Sequence, residues 1–167
     1  QHGHAIELRL YAEDPAAGFL PGSGTLERLR LPAPSAHVRL DGGVVEDDTV
    51  TIFYDPMIAK LITHAATREE AIDRMVRAID DYQVSGVKTT LGFCRWAIQQ
   101  PAFASGNFDT HFVKKYFTPE VLATADTEAQ EMAAIAAAYA WMQSKPAVAA
   151  SASNSGASVS RWKMNRR

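Results

Sequence analysis

Residues 3–15, GHAIELRLYAEDP, decide how the rest of the chain is read. From His4 to Tyr11 the side chains alternate, with Ile6, Leu8 and Leu10 on one face and Glu7, Arg9 and Tyr11 on the other. A period of two belongs to a strand that buries one face and leaves the other open. The open face then carries a guanidinium between a carboxylate and a phenol, a grouping that can receive an anion. Taken alone, the same three residues more often describe a plain surface ion pair of little energetic weight.

Beyond this strand, EDPAAGFLPGSG (13–24) holds two prolines and three glycines and reads as a loop. TLERLRL (25–31) resumes as a second strand, and VRLDGGVVEDDTVTIFY (38–54) as a strand, a Gly-Gly turn and a further strand. MIAKLITH (57–64) fits either a strand or a brief turn of helix. Links this short predict an antiparallel sheet. Thr67 and Glu70 form a capping box, after which Ile72, Met75, Val76, Ile79 and Tyr82 share one helical stripe, predicting a helix over 68–82. QVSGV (83–87) reads as strand and turn. Thr89 or Thr90 caps a second helix to about Gln100, ended by Pro101, and a third short helix spans about Thr110 to Phe117 before Pro119.

From Thr124 alanine dominates, and residues 127–143 predict a helix with Met132, Ile135, Tyr139 and Met142 on one side, a stripe that needs a surface to pack on. SKPAVAASASNSGASVS (144–160) has the composition of a flexible linker. The expected fold class is α+β: an antiparallel sheet with packed helices over 1–122, an alanine-rich helix over 123–143, and a flexible tail.

A chain of 167 residues with 47% hydrophobic content suits one core plus a tail. Its formal net charge of -2 supplies no basic field for nucleic acid or anionic lipid. The single cysteine, Cys94, excludes an internal disulfide and points to a reducing compartment. No apolar run approaches the ~18 residues of a membrane span, and no secretion signal opens the chain. A strand that starts almost at residue 1 suggests an excised fragment. Other constellations fail on chemistry. Gly22, Ser23 and Gly24 open no helix and lack a phosphate-binding lysine. His2 and His4 have no third ligand at metal spacing, so no metal site is expected. Cys94 lies within a helix and has no histidine partner for nucleophilic chemistry.

GHAIELRLYAEDP, then YDPMIAKLI (54–62), then DTHF (109–112) resemble, in the same order and with similar gaps, the C-terminal domain of biotin carboxylases, over about Gly3 to Tyr116. The resemblance implies that Arg9 is the catalytic arginine, contacting bicarbonate and the biotin ureido group and stabilising the enolate formed when N1 loses its proton. Glu7 is implied as its orienting partner. Asp55 matches an aspartate near the biotin site, although an aspartate before proline also starts turns, and Lys60 follows on the same segment. His111 matches a position beside the nucleotide pocket. Arg39 matches an arginine of the dimer interface in free-standing bacterial enzymes. Ala36 stands where those carry a phenylalanine, a departure that counts against that dimer.

YAEDP, FLPGSG and DPMIAKLI lean toward the biotin-containing alpha subunits of acyl-CoA carboxylases, most similar to the 3-methylcrotonyl-CoA enzymes, with propionyl-, acetyl- and geranyl-CoA enzymes near. RWKMNRR (161–167) resembles the truncated start of the next domain in such subunits. The implied reaction is ATP-dependent carboxylation of biotin. The cofactors are biotin, carried on a separate domain, and ATP with Mg2+, bound mainly by upstream residues, so the isolated chain is expected to be inactive. Implied partners are the upstream ATP-grasp part, the biotin carboxyl carrier domain, the carboxyltransferase beta subunit and bicarbonate, with neither nucleic acid nor membrane. The implied location is cytoplasmic, or the mitochondrial matrix in a eukaryote. The rival reading is a non-catalytic interaction module using the sheet face and the helices.

Overall fold

The computed structural model describes residues 2–144. The linker residues after Ser144 and the RWKMNRR segment lie outside the described residues. In chain order the elements are β1 (His4–Tyr11), β2 (Glu13–Asp14), β3 (Leu20–Pro21), β4 (Gly24–Thr25), β5 (Arg28–Arg30), β6 (Val38–Gly42), β7 (Thr49–Val50), β8 (Met57–Ala65), α1 (Arg68–Asp80), β9 (Gln83–Ser85), α2 (Leu91–Ile98), α3 (Pro101–Ala104), α4 (Phe112–Tyr116) and α5 (Glu120–Ser144). One compact unit covers Gln1–Glu128 and a second begins at Ala129.

The centre of the first unit is an antiparallel sheet in the order β1-β8-β6. MIAKLITH resolves as its middle strand, β8, paired on both sides. Ile6, Leu8 and Leu10 of β1 are buried as the alternation requires, and they join Leu61 of β8 and Ile72, Met75 and Ile79 of α1 in one apolar cluster. Burial of each such side chain contributes about 1.5–3 kcal/mol, which is what holds α1 on this face of the sheet. The capping box forms as read: Glu70 N–H donates to Thr67 Oγ1 at 3.2 Å and Thr67 N–H to Glu70 Oε2 at 3.4 Å. Thr63, fully buried, donates its hydroxyl to the Ala71 carbonyl at 3.0 Å and so ties β8 to the first turns of α1.

Four local expectations change. The 13–24 stretch folds back on itself as the β2–β3 pair around a short 3-10 turn, Pro15–Ala17. TLERLRL does not run as one strand, because Leu26 and Leu29 both turn toward the core and a spacing of three cannot put both on one strand face. The chain breaks between them, β4 pairs with β7 and β5 pairs with β9. The strand expected through TIFY stops at Val50, and Ile52, Phe53 and Tyr54 lie exposed in the turn that precedes β8. Pro101 follows the end of α2 and itself opens α3, where its missing N–H costs nothing.

α3 is fastened to α1 by Arg68, whose guanidinium donates to the Phe103 and Ala104 carbonyls and lies over the Phe103 ring. The alanine-rich helix begins earlier than its composition suggests, at Glu120. Met132, Ile135, Tyr139 and Met142 are exposed on it.

Candidate functional site on the open sheet face

The face of the sheet turned away from α1 carries the alternate residues of the same strands. Register sets Glu7 of β1 opposite Ile62 of β8 and Ile62 opposite Arg39 of β6. In the next row Arg9 faces Lys60, and Lys60 faces Asp41. Arg9 Nε donates to Glu7 Oε1 at 3.3 Å, with the two side chains 57% and 47% exposed, so the pair is braced yet open to a ligand. The Tyr11 phenol and then the Glu7 carboxylate push the Arg9 guanidinium above its already high ordinary value. It is a fixed positive charge at any physiological pH.

What holds Arg9 in place is partly outside the sheet. β1 is an outer strand with an irregular register between Leu10 and Tyr11. At that point the Tyr11 N–H donates to Thr90 Oγ1 at 3.1 Å, and the Thr90 N–H returns a bond to the Tyr11 carbonyl at 3.1 Å. Thr90 does occupy the N-cap position of α2, but its hydroxyl caps β1 instead of the helix. Sequence reasoning located this residue and missed its target, which is 79 positions away in the chain.

Asp55 lies exposed at the entry to β8, where its Oδ1 accepts from the Met57 N–H at 3.1 Å, the local turn that an aspartate before proline makes. The adjoining Pro56 carbonyl accepts from the Ala12 N–H at 2.9 Å, so Asp55 sits at the Tyr11 end of β1. His111 is carried elsewhere. It precedes α4, its N–H bonds Asp109 Oδ1 at 2.8 Å, and its ring stays exposed with Nδ1 3.6 Å from the same oxygen. α4 is attached to the helical side through Phe112, which meets Trp96 of α2. A shallow pocket of ≈ 170 Å³ is lined by Asn107, Phe108, Asp109, Lys115 and Tyr116, and His111 itself is not part of its lining. Arg9, Glu7 and Asp55 thus belong to the sheet, and His111 to the helical layer.

Cys94 is partly buried in α2, and that burial pushes its thiol up to about 11. His2 meets His64 through its carbonyl oxygen, 3.0 Å from His64 Nε2, and among the described residues no three His, Cys, Asp or Glu side chains are grouped to hold a metal ion. No helix among them is long and apolar enough to cross a membrane.

Comparison with known proteins places the fold. The solved biotin carboxylase domain of the 2-oxoglutarate carboxylase of Hydrogenobacter thermophilus, in complex with MgADP, ADP and bicarbonate, shares the fold at a TM-score of 0.68 and 37% identity, over 72% of this chain and 26% of that one. The mitochondrial methylcrotonoyl-CoA carboxylase subunit alpha of Oryza sativa subsp. japonica is 40% identical over 143 residues, 82% of this chain and 19% of that protein. Biotin carboxylase 2 of Bacillus subtilis is 46% identical over 116 residues, 70% of this chain and 26% of its own length. The chain therefore spans about a fifth to a quarter of the length of these relatives. A shared fold and identity at this level define a domain of the biotin-dependent carboxylase type. Residues 7–115 match the family model of the biotin carboxylase C-terminal domain, and the chain belongs to that family.

Proposed function

We propose that this chain acts as the C-terminal part of a biotin carboxylase module in the alpha subunit of an acyl-CoA carboxylase, supplying part of the site where biotin meets bicarbonate. The observation that carries the reading is Arg9, a permanently charged, exposed guanidinium braced by Glu7 and Tyr11 on the open sheet face. Such a group can hold the negative charge that develops on the ureido oxygen as N1 is deprotonated, without competing as an acid. Glu7 orients it. Asp55, at the adjoining end of the sheet, lies near the biotin ring, and His111 contributes to the wall around the nucleotide.

ATP and Mg2+ bind mainly to an upstream ATP-grasp part, biotin arrives on a carrier domain, and a carboxyltransferase beta subunit chooses the acyl-CoA. In this arrangement the carboxylase part is followed directly by the alanine-rich helix α5, Glu120–Ser144. The rice relative favours the 3-methylcrotonyl-CoA class and, in a eukaryote, the mitochondrial matrix.

The test is Arg9→Ala in the full-length carboxylase containing this segment. Loss of one charge-stabilising donor lowers the rate of biotin carboxylation by roughly 100-fold or more, while nucleotide affinity stays near its parent value. Carboxylation rate and nucleotide affinity falling by the same factor would refute the assignment. The isolated chain, given ATP, Mg2+, bicarbonate and free biotin, releases no phosphate above blank, because phosphoryl transfer needs a phosphate cradle and metal ligands from elsewhere.

A further inference from the structure

Arg9 sits on a weakly supported strand. Among the described residues β1 has β8 on one side and no strand on the other, and its register slips between Leu10 and Tyr11, just beyond Arg9. Outer strand ends fray easily. A charged group that must meet a reacting atom tolerates little drift, since a displacement of about 1 Å can cost about 100-fold in rate. Support for this end of β1 comes from the helical layer. Thr90 is 4% exposed and takes both main-chain groups of Tyr11: its Oγ1 accepts the Tyr11 N–H at 3.1 Å, and its own N–H donates to the Tyr11 carbonyl at 3.1 Å. Its hydroxyl also lies 3.5 Å from the Arg9 carbonyl. Thr90 thus stands where a neighbouring strand would. The base of this grip is firm. The Thr90 carbonyl accepts the Cys94 N–H at 2.9 Å, Arg95 of α2 binds Asp80 of α1 at 2.7 Å, and Phe93 and Trp96 pack on Phe117 with ring centroids 4.9 and 5.3 Å away. Tyr11 bears in turn on Arg9, two residues back along β1, because its phenol is the first of the influences that hold that guanidinium above its ordinary value.

We propose that Thr90 is a positioning residue for biotin carboxylation, holding the Tyr11 end of β1 at one setting so that Arg9 keeps its aim. The inference rests on the role of Arg9 proposed above. Thr90 is buried and touches neither substrate nor nucleotide, so it acts through Arg9. Its hydroxyl is what matters, because valine in its place fills the same volume and offers the Tyr11 N–H no acceptor. Loss of that oxygen lowers turnover without loosening the nucleotide. Once the guanidinium is gone, the same loss has nothing further to lower.

The experiment measures carboxylation of free biotin by the full-length carboxylase containing this segment, per mole of folded enzyme and well below its melting temperature. The variants are Thr90→Val, Thr90→Ser, Arg9→Ala and the double variant Arg9→Ala with Thr90→Val. Thr90→Val lowers kcat about tenfold or more, with the KM for ATP little changed. Thr90→Ser keeps the oxygen and returns kcat to within about twofold of the parent. The double variant turns over within about twofold of Arg9→Ala, because two residues that act through one group do not add. A merely structural Thr90 would instead lower the rate by the same factor in both backgrounds. A kcat for Thr90→Val within about twofold of the parent overturns the proposal. So do equal defects in the serine and valine variants, or a full further loss in the double variant. If Thr90→Val does not fold, Thr90→Ala takes its place in both backgrounds with the same expectations. The two readings fail separately. A crippled Arg9→Ala with an additive Thr90→Val removes the positioning role alone, whereas a parent-like Arg9→Ala removes the carboxylation site itself.

Discussion

Thr90→Val removes one oxygen from the fold and should loosen the strand that carries Arg9. The side chain keeps its shape, so packing around this buried position is preserved. What goes is the acceptor for the Tyr11 N–H at 3.1 Å, together with a 3.5 Å contact from the hydroxyl to the Arg9 carbonyl that is too long to weigh much. β1 is an outer strand, so no further strand lies beyond Tyr11 to replace the lost partner. An amide left unpaired in a part-buried site costs about 1–3 kcal/mol. At about 2 kcal/mol the melting temperature falls by roughly 5–10 °C for a domain of this size. Urea unfolding of the chain should show a lower midpoint at constant slope, and hydrogen exchange should show faster loss of the Tyr11 amide. Thr90→Ser retains the oxygen and should keep that amide protected. An unchanged midpoint with parent-like Tyr11 exchange in Thr90→Val refutes the reasoning. Equal losses in the serine and valine variants also refute it, because the methyl group and not the hydroxyl would then be the anchor.

Gly86→Ala should be among the most damaging single substitutions in the chain: Gly86 has φ +97°, and an added Cβ would run into the Thr25 carbonyl and lie 2.9 Å from the Glu27 nitrogen. The expected cost is about 3 kcal/mol or more, checked by urea unfolding, and a loss below about 1 kcal/mol would contradict the close approach of β9 to the β4–β5 corner. Alkaline stability follows from two acids, the partly buried Cys94 with its thiol at about 11 and the buried Tyr82 with its phenol at about 12, both raised by desolvation. Both are neutral when folded and ionise earlier when unfolded, so their contribution is complete below pH ~9 and is lost as pH rises through about 11 to 12. Cys94→Ala should flatten the first part of that decline in pH-dependent thermal melts, and an identical pH profile in the variant would refute the burial argument.

Elements whose determinants lie within a few residues were legible in the sequence. β1 follows from its own alternation, and the start of α1 from Thr67 and Glu70, which satisfy each other without help from the rest of the chain. Where two demands met on one segment, local reading failed. Leu26 and Leu29 both seek the core and split TLERLRL, and the apolar Ile52, Phe53 and Tyr54 look like a strand yet lie exposed in a turn. In β8 the consecutive burial of Ile58 and Ala59 hides the period of two, which left strand and helix equally open. The grouping of charges on the open face was illegible for a different reason. Its members come from three separate segments, and only the pairing register shows that Lys60 falls between Arg9 and Asp41.

That register also separates what holds the fold from what would serve the reaction. In β1, Ile6, Leu8 and Leu10 bury against α1 while Glu7 and Arg9 point the other way. In β8, Leu61 and Thr63 face the core while Lys60 and Ile62 lie on the open face. The Arg9–Glu7 and Arg39–Asp41 pairs are solvent-exposed, and exposed pairs of this kind add little to stability. Changing Arg9 should therefore leave unfolding almost untouched and act on ligand affinity or turnover. Changing Leu8, Leu61 or Met75 should do the reverse. The exception is Thr90, which lies outside the sheet yet grips the backbone of β1 beside Arg9. It is the residue at which stability and function are expected to move together, because loosening one end of an outer strand frees both its core side chains and its guanidinium.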